Sequence, residues 1–228
     1  MPELSLNLLP LKEGEREEFE AIAPEAVHTY ARRSTVTAEQ LAAATIIFGW
    51  PKEDEMKSAA SLKWFQSMWA GTDEYANMLP DGVLFTSSSG SNSRSVAEHM
   101  LTSLMAVCRR LPSYLDSQRA HRWKDEGPMK TIFGGTVLVV GAGNVGSTFA
   151  KLCQGLGART IGLKRKAAGS IDGFDEVRAM DALDALLPQA DVVALTLPHS
   201  PQTAGLMNAA RIALMKDDAI LISAGRGT

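Results

Sequence analysis

The segment from Val137 to Arg165 is the feature that most constrains what this chain can fold into. Val137 to Val140 is a short, unbroken apolar run, the pattern of a strand buried on both faces of a parallel sheet. It ends in glycine, and Gly141, Gly143 and Gly146 form a G-x-G-x-x-G pattern. Val145, Phe149, Leu152 and Leu156 follow at three- and four-residue spacing, which predicts a helix directly after the turn. Gly157 supplies a helix stop, and Ala158 to Leu163 reads as a second strand.

Each glycine has a physical role in such a strand–turn–helix. Gly141 permits the sharp turn, Gly143 lets backbone N–H groups approach a pyrophosphate, and Gly146 lets the helix pack closely on the strand. The N-terminal end of the helix dipole then favours the anion. The spacing predicts dinucleotide binding. On this stretch alone, flavin or methyl-donor sites, or a turn that binds nothing, stay open. The end of the second strand bears on which dinucleotide is held. An NAD site usually carries an acidic residue about 20 residues on, facing the adenosine ribose, whereas an NADP site offers cations to the 2′-phosphate. Here the strand runs into Lys164 and Arg165, which predicts NADP(H) in preference to NAD, against the alternative of two solvated surface charges.

At 228 residues the chain has room for one large or two small domains. A net charge of −3 without a basic run argues against nucleic acid as the main partner. No apolar stretch reaches the roughly 18 residues of a membrane span. The N-terminus lacks the parts of a signal peptide, so a cytoplasmic protein is expected. Cys108 and Cys153 lie in helical patterns and read as small buried hydrophobes. His28, His99, His121 and His199 show no ligand spacing, and no metal site is predicted. His99 is expected to be packed or hydrogen-bonded within a helix.

The first 90 residues alternate strand and helix patterns. Strands are expected at Leu4 to Leu9, Val27 to Ala31, Thr45 to Phe48, Leu62 to Ser67 and Val83 to Thr86. Helices fit Glu13 to Ile22, Ala38 to Ala44, Glu53 to Ala60 and Asp73 to Met78. Ser93 to about Trp123 reads as one long helix with Val96, Met100, Leu104 and Val107 on one face, kinked or divided at Pro112. Asp125-Glu126-Gly127-Pro128 is the expected domain boundary. Beyond the glycine-rich segment, helices are expected at Ala182 to Leu187 and Ala209 to Met215, and strands at Asp191 to Leu197 and Ala219 to Ser223. The predicted fold class is α/β, two doubly wound parallel-sheet domains, with residues 1–124 (including a connecting helix at about 93–123) in the first and residues 125–228 in the second.

Three loops carry candidate chemistry. Ala70-Gly71 can offer bare backbone N–H groups to a substrate carboxylate, or be a simple turn. Arg226, flanked by Gly225 and Gly227, has an unobstructed guanidinium fork suited to holding a carboxylate and polarising an adjacent carbonyl. A surface arginine in a turn is the alternative. His199 borders the same predicted crevice but lies in a proline-flanked loop, which makes it a poor candidate acid or base.

The stretches LKWFQSMWAGTDEY, SVAEHMLTSLMAVCRRLPSY, GGTVLVVGAGNVGSTFAKLCQGLGA, ADVVALTLPHSPQTAGLMN and MKDDAILISAGRGT, in that order, resemble the D-isomer-specific 2-hydroxyacid dehydrogenase family, in its glyoxylate/hydroxypyruvate reductase-like members. The resemblance runs from about Leu62 to the last residue. It implies a flavodoxin-like substrate domain and a Rossmann cofactor domain, incomplete at its C-terminal side. It further implies NAD(P)H-dependent interconversion of a small 2-keto acid and its D-2-hydroxy acid, and a homodimer. Arg226 matches the arginine that binds the substrate carboxylate and keto oxygen. Ala70 and Gly71 match the loop whose amides hold that carboxylate. Asn144 and Val145 match positions on the pyrophosphate, and Leu197, Pro198, Ala224 and Gly225 match positions along the cofactor.

The family's glutamate and its proton-donating histidine lie beyond the Gly-Arg-Gly motif, and the sequence ends at Thr228. General acid catalysis contributes roughly 10²–10⁴-fold, so this polypeptide by itself is expected to be a poor enzyme. A non-catalytic dinucleotide sensor, similar to corepressors that resemble this family, is the alternative function.

Overall fold

Strand pairing in the computed structural model is parallel throughout the described residues, which are 2–72, 74–75, 78–166 and 169–225. The chain divides into two units, Met1–Ser91 and Asn92–Thr228. Each holds one five-stranded sheet.

In the first unit β1 (Leu4–Asn7), β2 (Val27–Tyr30), β3 (Ile46–Gly49), β4 (Trp64–Ser67) and β5 (Leu84–Ser87) lie in the order β2-β1-β3-β4-β5. This is the flavodoxin-like order. Parallel neighbours require crossovers, supplied here by α1 (Glu15–Ile22), α2 (Ala38–Ala43) and α3 (Glu53–Met56). A reciprocal capping box starts α2: Gln40 N–H donates to Thr37 Oγ1, and Thr37 N–H donates to Gln40 Oε1. The core gathers Leu6, Ile47 and Phe65 from the sheet with Leu41 and Met56 from the helices. Phe65 stacks on Phe85 at 5.4 Å and meets Tyr75 edge-on at 4.8 Å. Of the expected helix from Asp73 to Met78, Asp73, Ala76 and Asn77 lie outside the described residues, and Glu74, Tyr75 and Met78 lie in turns. The helix expected over Glu53 to Ala60 ends at Met56.

In the second unit β6 (Thr136–Val140), β7 (Arg159–Lys164), β8 (Glu176–Ala179), β9 (Val192–Leu195) and β10 (Ile220–Ser223) lie in the order β10-β9-β6-β7-β8. Renumbered within the unit this is 3-2-1-4-5, the first five positions of the Rossmann order. The apolar run of β6 is buried on both faces. Val137 and Val139 face a layer containing α4 (Ser93–Cys108) and α6 (Asn144–Gly155), whereas Leu138 and Val140 face Leu183 and Leu187 around α7 (Leu183–Leu186). α6 ends in a Schellman closure, with Ala158 N–H on Cys153 O and Gly157 N–H on Gln154 O. A short α8 (Ala209–Ile212) precedes β10.

Further expectations differ from what is found in the long helical segment and at the boundary. The long helical segment is divided, as the proline suggested, but the break falls at Arg110, whose φ is 51°, and Pro112 sits in the first turn of α5 (Leu111–Arg119). Proline is tolerated in a first helical turn because the N–H it lacks has no intrahelical acceptor there. The buried face of α4 is Ala97, Met100, Leu104 and Cys108, so Val107 is 55% exposed and His99 is exposed rather than packed. The Asp125–Pro128 turn is tied down by Arg110, whose guanidinium donates to the carbonyls of Glu126 and Pro128, and by Ser117 Oγ on Glu126 Oε1 at 2.6 Å. The division between compact units accordingly falls before the long helical segment, and α4 and α5 pack with the second unit.

β8 was not expected. Its sequence, EVRA, is half charged and only partly buried, as suits an edge strand. Among the described residues no helix is long and apolar enough to cross a membrane.

Candidate functional site

At the carboxyl end of β6 the backbone turns through Gly141 and Ala142, whose N–H groups both donate to Leu163 O at 3.0 and 2.9 Å. The turn is thereby tied to the end of β7. Thr196, just past β9, donates its hydroxyl to Gly141 O at 2.7 Å. Gly146 shows why the helix that follows can lie so close. A Cβ there would sit 2.1 Å from Gly141 O and 3.0 Å from Val139 Cγ1. At Gly143 a Cβ would meet nothing within 4 Å, so the face that the turn presents outward is open.

Gly143 is the N-cap of α6. No side chain caps the helix, and its first turn contains no acidic residue. The N–H groups of Asn144, Val145 and Gly146 have no acceptor one turn earlier within the helix. They lie at the positive end of the helix dipole. The result is a cluster of donors with no carboxylate of the protein's own, open to an external anion.

β7 ends in exposed Lys164, followed by exposed Arg165 and Lys166. Among the described residues none of the three joins an ion pair. Lys166 extends the cationic group beyond the pair read from the sequence. Its signal was present, as the next residue in the run.

The loops after β9 and β10 enclose a crevice of about 180 Å³, lined by Leu197, Pro198, His199, Thr203, Met207 and Gly225 among others. Gly225 lies against the backbone of Leu197, where a Cβ would come within 2.8 Å of the carbonyl oxygen. Ala224 is exposed, and its N–H donates to Leu195 O at 2.9 Å. Thr203 shapes the loop: its hydroxyl donates to Pro198 O at 2.7 Å and accepts from Ser200 N–H at 2.8 Å. Sequence reasoning placed Thr203 in the ligand-facing loop without a role of its own and passed over Thr196, because a single threonine carries no spacing signal.

In the first unit, Ala70 and Gly71 follow β4. Ser67, at the end of that strand, is buried and accepts Trp69 N–H on its hydroxyl at 3.1 Å, while Trp69 O accepts Ser88 N–H at 3.1 Å. The loop is thus anchored just ahead of Ala70, which is exposed, and Gly71, which is half-buried. Arg226 lies outside the described residues. The structure therefore groups Gly141, Gly143, Asn144, Val145 and Gly146 with Lys164, Arg165, Leu197, Pro198, Ala224 and Gly225 along the carboxyl ends of one sheet. Cys108 and Cys153 are buried between α4 and α6, away from those ends. Among the described residues no group of three or more His, Cys, Asp and Glu side chains is placed to hold a metal ion.

A parallel sheet in Rossmann order, with an uncapped glycine turn at its central strand, defines a dinucleotide-fold protein. Comparison with known proteins is more specific. Residues 101–228 match the family model described as "D-isomer specific 2-hydroxyacid dehydrogenase, NAD binding domain". The chain belongs to the D-isomer specific 2-hydroxyacid dehydrogenase family. It is 35% identical over 147 residues to D-3-phosphoglycerate dehydrogenase of Mycobacterium bovis, covering 64% of this chain and 28% of that protein. It is 30% identical over 172 residues to D-2-hydroxyacid dehydrogenase (NAD(+)) of Clostridioides difficile, covering 74% of this chain and 51% of the relative.

Among solved structures, a family member from Aeromonas salmonicida subsp. salmonicida A449 superposes with a TM-score of 0.86 at 27% identity, covering 100% of this chain and 74% of that one. A second, from Xanthobacter autotrophicus Py2 in complex with NADPH and MES, gives 0.79 at 25% identity, covering 100% of this chain and 73% of the other.

Proposed function

We propose that the second unit binds a nicotinamide dinucleotide, NADP(H) in preference to NAD(H), and that the whole protein interconverts a small 2-keto acid and its D-2-hydroxy acid. The observation that carries the reading is the start of α6, uncapped and free of acidic side chains, beside three cations without ion-pair partners among the described residues. The amides of Asn144, Val145 and Gly146 would hold the pyrophosphate, and Lys164 and Arg165, with Lys166, a 2′-phosphate. Relatives of both kinds exist: one is named for NAD(+) and another was solved with NADPH. The basic strand end favours the second.

In this reading the first unit grips the substrate carboxylate through the amides of Ala70 and Gly71, while Arg226 orients it and polarises the keto oxygen. When bound, the reduced nicotinamide supplies the hydride that the keto carbon accepts. The exposed apolar side chains Val107, Leu111 and Leu115 on α4 and α5 support a homodimer through that face.

Titrating this chain with NADPH and NADH, followed by nucleotide fluorescence, tests the cofactor. NADPH is expected to bind about tenfold more tightly, a difference of about 1.4 kcal/mol. Equal or tighter binding of NADH overturns the preference, and no binding of either overturns the site. Mixing the whole protein with NADPH and glyoxylate or hydroxypyruvate tests the reaction. Binding without turnover of any 2-keto acid would make the protein a dinucleotide sensor instead.

A further inference from the structure

Residues two apart along an extended strand share a face. Val192 and Ala194 of β9 belong to the core layer around α4 and α6, and Thr196, two residues on, continues their row, whereas Leu195 and Leu197 line the crevice. The N–H of Thr196 donates to Val140 O at 3.0 Å, which carries the β6–β9 pairing one residue past the end of β9. An apolar row of this kind suits valine, which has the shape of threonine without the polar atom. A half-buried hydroxyl in its place calls for a partner that offsets its desolvation.

That partner is the glycine turn. Thr196 Oγ1 donates to Gly141 O at 2.7 Å, and Gly143 N–H reaches the same oxygen at 2.8 Å. Gly141 O therefore accepts from two directions, one inside the turn and one from the neighbouring strand, and both of its lone pairs are used. On the other side of the same peptide, Ala142 N–H donates to Leu163 O at 2.9 Å. The Gly141–Ala142 peptide is thus held from β9 on its carbonyl side and from β7 on its amide side. Such bonds matter here because Gly141, at φ 113°, has many other conformations open to it.

The fit around the hydroxyl is close. A Cβ on Gly141 and a Cβ on Gly146 would each lie 2.9 Å from Thr196 Oγ1. The oxygen occupies a notch between turn and helix that exists because both positions lack a side chain. It stands beside the residue that begins the turn and beside the third of the amides of Asn144, Val145 and Gly146.

We infer that Thr196 is a positioning residue for the pyrophosphate: its hydroxyl sets the Gly141–Ala142 peptide from the neighbouring strand and, through it, the direction of the first amides of α6. The inference rests on the dinucleotide reading of this turn. Thr196 acts through Gly141 O and needs no contact with the ligand. Valine at this position would put a methyl carbon where the hydroxyl oxygen now lies 2.7 Å from Gly141 O, inside the roughly 3.3–3.6 Å of a carbon–oxygen contact. Its stiff χ1 offers little escape. Serine keeps the donor, and alanine leaves the notch empty.

Titration of the full chain and of Thr196→Ser, Thr196→Ala and Thr196→Val with NADPH and NADH tests the inference, with urea melts to establish that each variant is folded. Affinity is expected to fall in the order parent, Ser, Ala, Val, with Ser within about threefold of the parent and Val roughly tenfold weaker. The loss should be the same factor for NADPH and NADH, because both carry the pyrophosphate. A threonine that only fills space would give the reverse order, with valine nearest the parent. Should Thr196→Val fail to fold, the comparison of Ser with Ala decides in the same sense. The inference is overturned if the valine variant binds both nucleotides like the parent, if serine loses as much as alanine, or if the loss is confined to one nucleotide. A parent that binds neither nucleotide overturns the dinucleotide reading itself, whereas a parent that binds leaves only the role of Thr196 at stake.

Discussion

The two ends of the second sheet are built from different materials. At the amino ends of its strands, side-chain carboxylates are consumed within the protein. Asp191 accepts Thr136 N–H at 2.8 Å and pairs with Lys216 at 2.7 Å, joining the starts of β6 and β9. Asp175 accepts both the amide and the hydroxyl of buried Thr160, at 2.7 and 3.0 Å, where β7 begins. Lys130 pairs with Asp218 at 2.8 Å ahead of β10. At the carboxyl ends the residues directly after β6, β7, β9 and β10 include no carboxylate, and the donors there are bare amides and cations without ion-pair partners among the described residues. One end uses its charges to hold strands together, and the other leaves its cations without ion-pair partners among the described residues.

If that division holds, a change at the carboxyl end should remove binding, whereas a change at the amino end should remove only stability. The largest effect is expected from Gly146→Ala. The new methyl carbon would sit 2.1 Å from Gly141 O, so helix and turn must separate. Overpacking of this kind costs about 1–3 kcal/mol or more, outweighing the roughly 1 kcal/mol that alanine gains in a helix. The displaced amides are expected to weaken NADPH binding about a hundredfold, or about 2.8 kcal/mol. Parallel urea melts and nucleotide titrations check both numbers, and a variant that binds NADPH like the parent would break the comparison at its stronger side.

How far each end could be read from sequence follows from the same contrast. A site made of backbone imposes glycine at fixed spacing, so Gly141, Gly143 and Gly146 announced it, and the double-sided burial of β6 was equally plain in Val137–Val140. A site or clasp made of scattered side chains imposes no spacing. Thr196 reaches Gly141 only because β9 pairs with β6, and Arg16, Arg32 and Lys52 approach one crevice only because β2, β1 and β3 are neighbours. β8 stayed hidden for a related reason: at a sheet edge Glu176 pairs with both Arg178 and Arg159, and no apolar run is required. Pro112 marked the division of the long helix to within two residues, but nothing in the sequence singled out Arg110 itself. The break there is stabilised by that residue's own bonds to the 126–128 segment.

At the amino end, Asp191→Ala is expected to cost about 1–3 kcal/mol, because Thr136 N–H and Lys216 lose their acceptor. NADPH affinity should stay at the parent value. Acid titration sharpens the point. The amide of Thr160 is the main influence holding the Asp175 carboxyl below the ordinary carboxylate range. For Asp191, burial pushes upward but is outweighed by Lys216 and Thr136 N–H, so its carboxyl is also held low. A carboxylate whose pKa is depressed by folding contributes its full stability above the unfolded value of about 3.9, and that stability is lost as the pH falls through the lower folded value. Urea midpoints of the parent are therefore expected to hold down to about pH 5 and fall below about pH 4. The double variant Asp175→Asn/Asp191→Asn should start lower and show a shallower acid limb. An unchanged limb would mean that these clasps do not secure the amino end.

Between the two ends lies the layer formed by α4 and α6, and there the smallest effect is expected. Cys153 is fully buried against this layer, and burial pushes its thiol up to about 12, with Cys108 a lesser influence in the same direction. The thiolate is the reactive form, so a thiol held this far above neutrality is inert even before access is considered. Native protein at pH 8 should take up no aromatic disulfide reagent at either cysteine, while the urea-unfolded chain should titrate as two thiols. Bound NADPH should leave the native result unchanged, because the ligand would engage the first turn of α6 while Cys153 lies in its last. Stoichiometric labelling of the native chain would show that the α4–α6 layer opens on the time scale of the assay, and the carboxyl-end amides could then no longer be treated as held in place by a closed core.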